Sequence, residues 1–395
     1  MQIVSLTIKN YKAFQDITIN NIPKFCVFVG ANGTGKSTLF DIFGFLRDSL
    51  KNNIRQSLQR RGGFKEVITR GHENEDIYFE IKFRMKILDK ERLVTYVLEI
   101  GLEKNRPIVK REILRYKRGS QGSPFHFLDF KNGKGFAITN EEDFDKTDEQ
   151  LTREEQTLDA EDTLAIKGLG QFQRFKAASA FRLLIENWHV SDFHISAARG
   201  SKDTGYAEHL STTGDNLPLV AQYIYENHQN IFEKILEKMK QRVPGVSKVE
   251  AKETEDGRLI LKFQDESFHD PFVSRYVSDG TIKMFAYLVL LHDPDPHPLL
   301  CVEEPENQLY PLLLQELAEE FEAYTRLEGQ VFVSTHSPDF LNAVDLNNIF
   351  WLEKHEGITK VYRASEQELL KNLCQEGDLP GYLWKQGLFG GVDPK

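Results

Sequence analysis

The residues best suited to chemistry in this chain run from Gly30 to Thr38. Gly30-Ala31-Asn32-Gly33-Thr34-Gly35-Lys36-Ser37-Thr38 places three glycines ahead of a lysine and two hydroxyls. Glycines let backbone N–H groups converge on phosphate oxygens without Cβ clashes, so this turn can cradle a nucleoside triphosphate. Lys36 would reach the β- and γ-phosphates, and the Ser37 hydroxyl would ligate Mg²⁺. A second candidate group is Glu303-Glu304, at the end of the apolar run Leu299–Val302. Glu303 could enter the Mg²⁺ shell and Glu304 could polarise an attacking water. Taken alone, such a pair is more often a solvated turn after a core strand. His336, within Ser334-Thr335-His336-Ser337-Pro338, could donate a hydrogen bond to a γ-phosphate, although a lone histidine there is more often a surface or capping residue.

These groups need particular elements to hold them. Phe25–Val29 predicts a buried strand running into the glycine turn, and Thr38 to Leu50 predicts an amphipathic helix behind it. The run Leu299–Val302 is too short for a helix and flanked by turn formers, so it predicts a buried parallel strand. Such a strand delivers its last residues to the edge of an open α/β sheet, where ligands bind. Gln330–Thr335 predicts another strand, separated from the first by one helix, Pro311 to Leu327. Upstream, Ser278 is a candidate N-cap for an apolar helix beginning Asp279-Gly280-Thr281, and Gly280 would leave its first turn open to an anion.

The ordered set Gly-x-x-x-x-Gly-Lys-Ser, Ser-Asp-Gly-Thr, apolar-Glu-Glu-Pro-Glu-Asn and Ser-Thr-His-Ser-Pro resembles the ABC-type ATPase core. More narrowly it is similar to the RecF/SMC/OLD-like branch found in prokaryotic DNA repair and anti-phage defence. The opening Ile3–Phe14 is similar to that branch's first strand, and Asp270 to Leu379 carries the later motifs; the middle is matched only loosely. The resemblance implies an α/β, two-lobed P-loop ATPase using ATP and Mg²⁺. Its first lobe would be mixed and antiparallel-rich, followed by a helical insertion and a mostly parallel second-lobe sheet. It puts Glu303 on the Walker B aspartate position, Glu304 on the catalytic glutamate and His336 on the switch histidine. Ser278 and Gly280 fall on the signature motif, which in this family completes the site of a second subunit in a head-to-tail homodimer. Two departures stand out. Glu303 replaces the usual Asp, and Asp279-Gly280-Thr281 replaces the commoner Gly-Gly-Gln, so slow turnover is expected. Gln171 and Gln173 are Q-loop candidates by residue type alone.

By the same resemblance, the long interval from Ser37 to Ser278 argues against a transporter subunit. The insertion is too short for paired SMC arms, and no Asp-x-Asp group after His336 suggests a fused TOPRIM nuclease. Two readings remain: a dimeric ATP-gated switch for a separately encoded effector such as a nuclease, or a RecF-like ATPase that clamps duplex DNA.

At 395 residues with a net charge of −10, the chain can bury a large core and does not read as a general nucleic-acid coater. It holds no apolar run long enough for a membrane helix and opens straight into a strand pattern, so a cytoplasmic protein without membrane contact is expected. Cys26, Cys301 and Cys374 are scattered, and they read as reduced thiols. Positive charge gathers in Lys104, Arg106, Lys110, Arg111, Arg115, Lys117 and Arg118, and again in Lys51, Arg55, Arg60 and Arg61. Either group could track phosphates, or mark a solvated edge strand with protective charge. From Glu141 to Asp162 eleven acidic residues face two basic ones, the pattern of an exposed linker or partner-facing loop.

The organisation expected from these patterns is an N-terminal ATPase lobe at 1–138 and a helical insertion with an acidic linker at 139–190. A C-terminal ATPase lobe follows at 191–375, then an aromatic and glycine-rich tail at 376–395. Ile77–Leu88, Val94–Leu102 and Ile108–Tyr116 alternate as an antiparallel meander would, and Leu164 to Trp188 has helical periodicity. The tail either packs back on the second lobe or docks a partner. The loop His292-Asp-Pro-Asp-Pro-His-Pro298 holds two histidines and two aspartates, yet its prolines should splay them, so it reads as a stiff connector.

Overall fold

The computed structural model describes residues 2–87, 90–116, 125–139, 152–327 and 329–390. It divides into two units. One comprises Met1–Trp188, Asn347–Gln367 and Phe389–Lys395; the other comprises His189–Leu346 and Glu368–Leu388.

The first unit begins with β1 (Gln2–Tyr11), β2 (Phe14–Asn20) and β3 (Phe25–Val29), then α1 (Lys36–Lys51), α2 (Ile54–Gln59) and α3 (Phe64–Val67). A meander follows: β4 (Ile77–Ile87), β5 (Lys90–Glu103), β6 (Arg106–Tyr116), β7 (Phe125–Lys131), β8 (Lys134–Ile138) and β9 (Arg153–Thr157). Eight strands form one antiparallel sheet in the order β2-β1-β4-β5-β6-β7-β8-β9. Strand β2 alternates buried and exposed residues, as a sheet with one wet face requires. Helices α4 (Ala165–Leu169) and α5 (Lys176–Glu186) complete this part. Phe181 of α5 stacks on Phe83 with centroids 4.8 Å apart and lies 4.7 Å from Tyr96, so the helix covers the sheet face. Glu112, fully buried on β6, takes hydrogen bonds from the Ala165 and Ile166 N–H groups and from the Tyr96 hydroxyl.

The second unit holds β10 (His189–Ser191), α6 (Ile195–Ala198), β11 (Lys202–Asp203), α7 (Leu217–Asn227), α8 (Gln229–Arg242), β12 (Val246–Glu253), β13 (Arg258–Asp265), β14 (Phe272–Val273), α9 (Asp279–Leu291), β15 (Leu299–Glu303), α10 (Pro311–Leu327), β16 (Gln330–Thr335) and α11 (Pro338–Leu341). Strands β10, β15 and β16 pair in parallel, with Leu300 opposite both His189 and Val331. Their near-continuous burial matches the rule for parallel strands covered on both faces. Every residue of α9 from Ile282 to Leu291 is buried, so it is a core helix rather than an amphipathic one.

The chain then returns to the first unit with β17 (Ile349–His355) and β18 (Ile358–Arg363). Strand β17 runs parallel to β3, pairing Phe350 with Phe28, and β18 pairs antiparallel to β17. Division into consecutive segments has no room for this return, which follows from hydrogen bonding between strands more than 300 residues apart. Helices α12 (Glu368–Glu376) and α13 (Pro380–Lys385) belong to the second unit.

The α/β class and the antiparallel-rich sheet are as expected, and α10 has the expected bounds. Four local readings need correction. Leu164 to Trp188 is two helices: α4 stops at Leu169 with Gly170 as its C-cap, and α5 starts at Lys176. The acidic stretch is partly a strand: Arg153–Thr157 pairs with β8, while 141–151 lie outside the described residues. The basic run is not an edge strand, because β6 lies between β5 and β7; Lys117 and Arg118 lie outside the described residues. Its charges are met by Lys110–Asp76 at 2.8 Å, Arg111–Asp129 at 2.7 Å and Arg115–Glu80 at 3.7 Å. The fourth correction concerns 292–298, where Asp293 and His297 are not splayed: the Asp295 N–H bonds Asp293 Oδ1 at 3.0 Å, curling the loop so that His297 Nε2 stands 3.7 Å from Asp293 Oδ2. The tail packs back, with Leu383 and Trp384 buried in the second unit and Phe389 against Trp351 in the first.

Candidate functional site

In the first unit, β3 ends at Val29 and the chain turns through Gly30–Gly35 into α1. A Cβ at Gly30 would meet Thr34 Oγ1 at 2.5 Å and the Leu352 carbonyl oxygen at 2.9 Å, so only glycine fits there. Gly33 and Gly35 have φ of 78° and 102°, the left-handed region that side chains disfavour. Helix α1 starts without a side-chain cap at Gly35, leaving its first amides for an anion. Thr34 Oγ1 donates to the Ala31 carbonyl at 2.8 Å, and Thr359 Oγ1 of β18 donates to the Thr34 carbonyl at 2.8 Å. Lys36 is buried and its Nζ donates to the Gly30 and Ala31 carbonyls at 2.7 and 3.3 Å. Asn32, Gly33 and Ser37 are exposed, while Ala31 and Thr38 are half-buried. All nine predicted residues of this turn therefore line one loop.

Behind the loop, Asp41 of α1 accepts from Tyr11 Oη at 2.8 Å, Lys12 Nζ at 2.5 Å and Arg61 Nε at 2.6 Å. Burial works against its charge, but the Arg61 and Lys12 cations outweigh that and hold its carboxyl below the usual range. Arg61 also bonds Asp48 at 3.0 Å, and Arg55 pairs with Asp162 at 3.3 Å. Arg61 thus braces α1, whereas Arg55 ties α2 to the segment before α4. Gln171 and Gln173 lie exposed between α4 and α5.

In the second unit, β15 ends at Glu303, opposite Ser334 of β16. Glu304 follows with φ of 42°, unusual for a residue with a side chain, and its N–H donates to the Ser334 carbonyl at 2.9 Å. This turn sets Glu304 Oε1 3.6 Å from His336 Nδ1, while Asn307 Nδ2 donates to Glu304 Oε2 at 3.2 Å. Glu306 accepts from Thr335 Oγ1 at 2.8 Å and from the His336 N–H at 2.9 Å, joining the two strand ends. Ser278 caps α9, its Oγ accepting from the Thr281 N–H at 3.2 Å, and stays exposed. A Cβ at Gly280 would meet the Gln308 carbonyl oxygen at 3.0 Å, so α9 begins against the turn that follows the carboxylates. The predicted Glu303, Glu304 and His336 thus share one sheet edge, with Ser278 and Gly280 at the helix start beside it.

Three neighbours escaped sequence reading. Lys283, one turn into α9, is buried and donates to the Asn307 carbonyl at 2.8 Å; burial pushes it down to about 8, against the pull of Glu306, Asp192 and Glu304. Arg199 contacts the Asp279 carboxylate and donates to the Val277 carbonyl at 2.5 Å. Trp384 Nε1 donates to the His336 carbonyl at 3.4 Å. A lysine inside an apolar helix pattern was the one available signal; the other two depend on contacts far apart in sequence.

A family model described as "AAA domain, putative AbiEii toxin, Type IV TA system" matches residues 25–342. A search of curated proteins gives no match. Among solved structures, the chain is similar to an SMC head bound to the C-winged-helix domain of ScpA. That likeness has 15% identity and a TM-score of 0.58 and covers 94% of this chain and 100% of the other. It is also similar to the SMC head domain with an extended coiled coil bound to the C-terminal domain of ScpA derived from Pyrococcus furiosus. Here identity is 14% and the TM-score 0.52, over 95% of this chain and 99% of the other. At such identities the likeness speaks to fold, and the fold is that of an ABC-type ATPase head. Among the described residues no helix is long and apolar enough to cross a membrane. The chain belongs to the AAA-domain family described as putative AbiEii toxin of type IV toxin–antitoxin systems, an ATPase family, and its fold is like that of an SMC head.

Proposed function

We propose that this ATPase is a dimeric switch, closed by ATP and reopened by its slow hydrolysis, that gates a separately encoded effector such as a nuclease in prokaryotic genome defence. The observation that carries the hydrolytic part is the Glu304–His336 arrangement, a carboxylate at a strand end held 3.6 Å from an imidazole by an unusual backbone turn. Glu304 would orient the attacking water and His336 would sense the γ-phosphate. The Gly30–Thr38 loop fits a triphosphate, since its close-packed Gly30 and uncapped helix start present amides to an anion. Ser37 at the start of α1 would hold Mg²⁺, which would supply positive charge beside the phosphates. Lys36 would exchange its loop carbonyls for phosphate oxygens.

Dimerisation is supported by the start of α9, where Ser278 and nearby Tyr276 are exposed. That helix end would meet the γ-phosphate held by a second copy, giving two identical composite sites. The family description, which mentions a toxin–antitoxin system, is in keeping with a defence role. Duplex clamping is the weaker reading, because much of the β6 charge is spent on Asp76, Asp129 and Glu80.

Mixing Lys36→Ala chains with Ser278→Arg chains tests the composite site. Each parent should be inactive, and the mixture should recover ATPase activity from one intact site per heterodimer. Activity in Ser278→Arg alone would sink the dimer. For the effector, Glu304→Gln with ATP should retain a second protein that Lys36→Ala releases; retention of duplex DNA instead, lost with salt, would favour the clamp.

A further inference from the structure

A second chemical cluster lies in the same unit but has no part in the nucleotide chemistry. His209 Nδ1 stands 2.9 Å from Asp293 Oδ2, His297 Nε2 stands 3.7 Å from that same oxygen, and the ligating atoms of all three lie within 4.8 Å of one another. We propose that His209, Asp293 and His297 form a binding site for a divalent transition-metal ion, zinc foremost, which clips the loop carrying His209 to the segment that starts β15.

The donor set favours such an ion. Two imidazole nitrogens and one carboxylate oxygen are a ligand combination that zinc takes with an open fourth position, whereas Mg²⁺ and Ca²⁺ prefer all-oxygen shells. Around a tetrahedral ion with bonds of about 2.0 Å, ligating atoms sit about 3.3 Å apart. The observed 2.9 and 3.7 Å straddle that separation, and the two imidazole nitrogens, within 4.8 Å of each other, would draw together by at most about 1.5 Å. Burial adds a charge argument. The Asp293 side chain is 2% exposed and that of His297 8%, and a buried carboxylate demands a cationic partner. His209 is 38% exposed, which gives the ion a way in.

The surroundings hold the ligands still. The Asp295 N–H occupies Asp293 Oδ1 at 3.0 Å and leaves Oδ2 toward both imidazoles. The His297 ring lies 4.8 Å from that of His189 and 5.3 Å from that of His209. Backbone is fixed on both sides: Asn216 Nδ2 donates to the His209 carbonyl at 2.9 Å, and Tyr324 Oη donates to the His297 carbonyl at 2.7 Å. Outer contacts of this sort orient ligands before an ion arrives. Since Leu299 opens β15 two residues after His297, loading would stiffen the root of the strand that ends in Glu303. Without an ion the same atoms make a plain ion pair between protonated His209 and Asp293.

The experiment uses the full chain, stripped with a chelator and kept free of nucleotide and Mg²⁺. Titration with Co²⁺ should give visible d–d absorption saturating near one ion per chain and lost on adding Zn²⁺. His209→Ala and Asp293→Asn should each weaken binding by more than about a hundredfold. Lys36→Ala and Glu303→Gln should bind Co²⁺ like the parent, separating this site from the nucleotide loop. No saturable Co²⁺ or Zn²⁺ binding, or unchanged affinity in His209→Ala, overturns the proposal and leaves the ion pair. Because His209 is partly exposed, its replacement decides the matter even if Asp293→Asn unfolds the chain.

Discussion

Lys36 and Lys283 are both buried, at 6% and 3% exposure, yet they are buried for different ends. Lys36 rests on the carbonyls of its own glycine turn, beside exposed amides of Asn32 and Gly33. Lys283 rests on the Asn307 carbonyl and is surrounded by Glu306, Asp192 and Glu304. The first lies in a turn whose Asn32, Gly33 and Ser37 face solvent. The second feels carboxylates of its own unit, which only partly offset its burial, and ties the start of α9 to the turn carrying Glu304. Burial alone therefore does not mark a lysine as a ligand site; the backbone around it does, a glycine turn for Lys36 and a helix packed on a turn for Lys283.

Four substitutions can break or sharpen that contrast. The largest effect is expected where the Lys283 cluster meets chemistry. Glu304→Gln should lower phosphate release by about two to four orders of magnitude while fluorescent ATP still binds. Glu303→Gln should instead weaken Mg²⁺-dependent binding. Identical turnover loss in both, with unchanged metal dependence, would mean that the two carboxylates have exchanged roles.

Next in size, Lys36→Ala should weaken ATP binding about a hundredfold, since a charge-assisted contact to phosphate is lost. Thermal unfolding without nucleotide should barely change. A large drop in stability without nucleotide would make Lys36 a structural cation like Lys283.

The smallest effect is a pH signature. Burial lowers Lys283 from an ordinary 10.5 to about 8, so between those values the unfolded chain holds a proton that the folded chain has released. Stability must then rise with pH across that window, and be lost as pH falls through about 8. Chemical unfolding of wild type and Lys283→Met at pH 7 and pH 10 reads this out, with other groups cancelling. The wild type should gain up to about 3 kcal/mol on the variant over the interval. A constant difference would show that Lys283 keeps its water.

Glu112 makes the same point with opposite sign. Burial raises it to about 7, although three donors converge on its carboxylate. Nothing around Glu112 in the sequence marks it, because two of those donors lie more than fifty residues downstream.

The glycine turn was legible because its chemistry is local: residue types at fixed spacing dictate φ, the amide directions and the position of Lys36. Strand β3, helix α10 and the cap at Ser278 were legible for the same reason, through burial runs, periodicity and a hydroxyl at a helix start. Strands β7 to β9 were missed where short segments alternate weakly between turns. The proline loop was misjudged because an Asx bond within it, not its prolines, sets the directions of Asp293 and His297.

The sequence by itself determined the glycine turn, the paired carboxylates at a strand end, the histidine on the neighbouring strand and the α/β class. These depend on interactions within a few residues, which composition and spacing encode directly. Only the tertiary structure decided that 347–367 rejoin the first unit through β17 and β3, that Thr359 clamps Thr34, that Lys283 sits among three carboxylates, and that His209 meets Asp293. Each of those links residues separated by long stretches of chain. Their closeness is set by how strands pair and helices pack, and no local pattern carries that information.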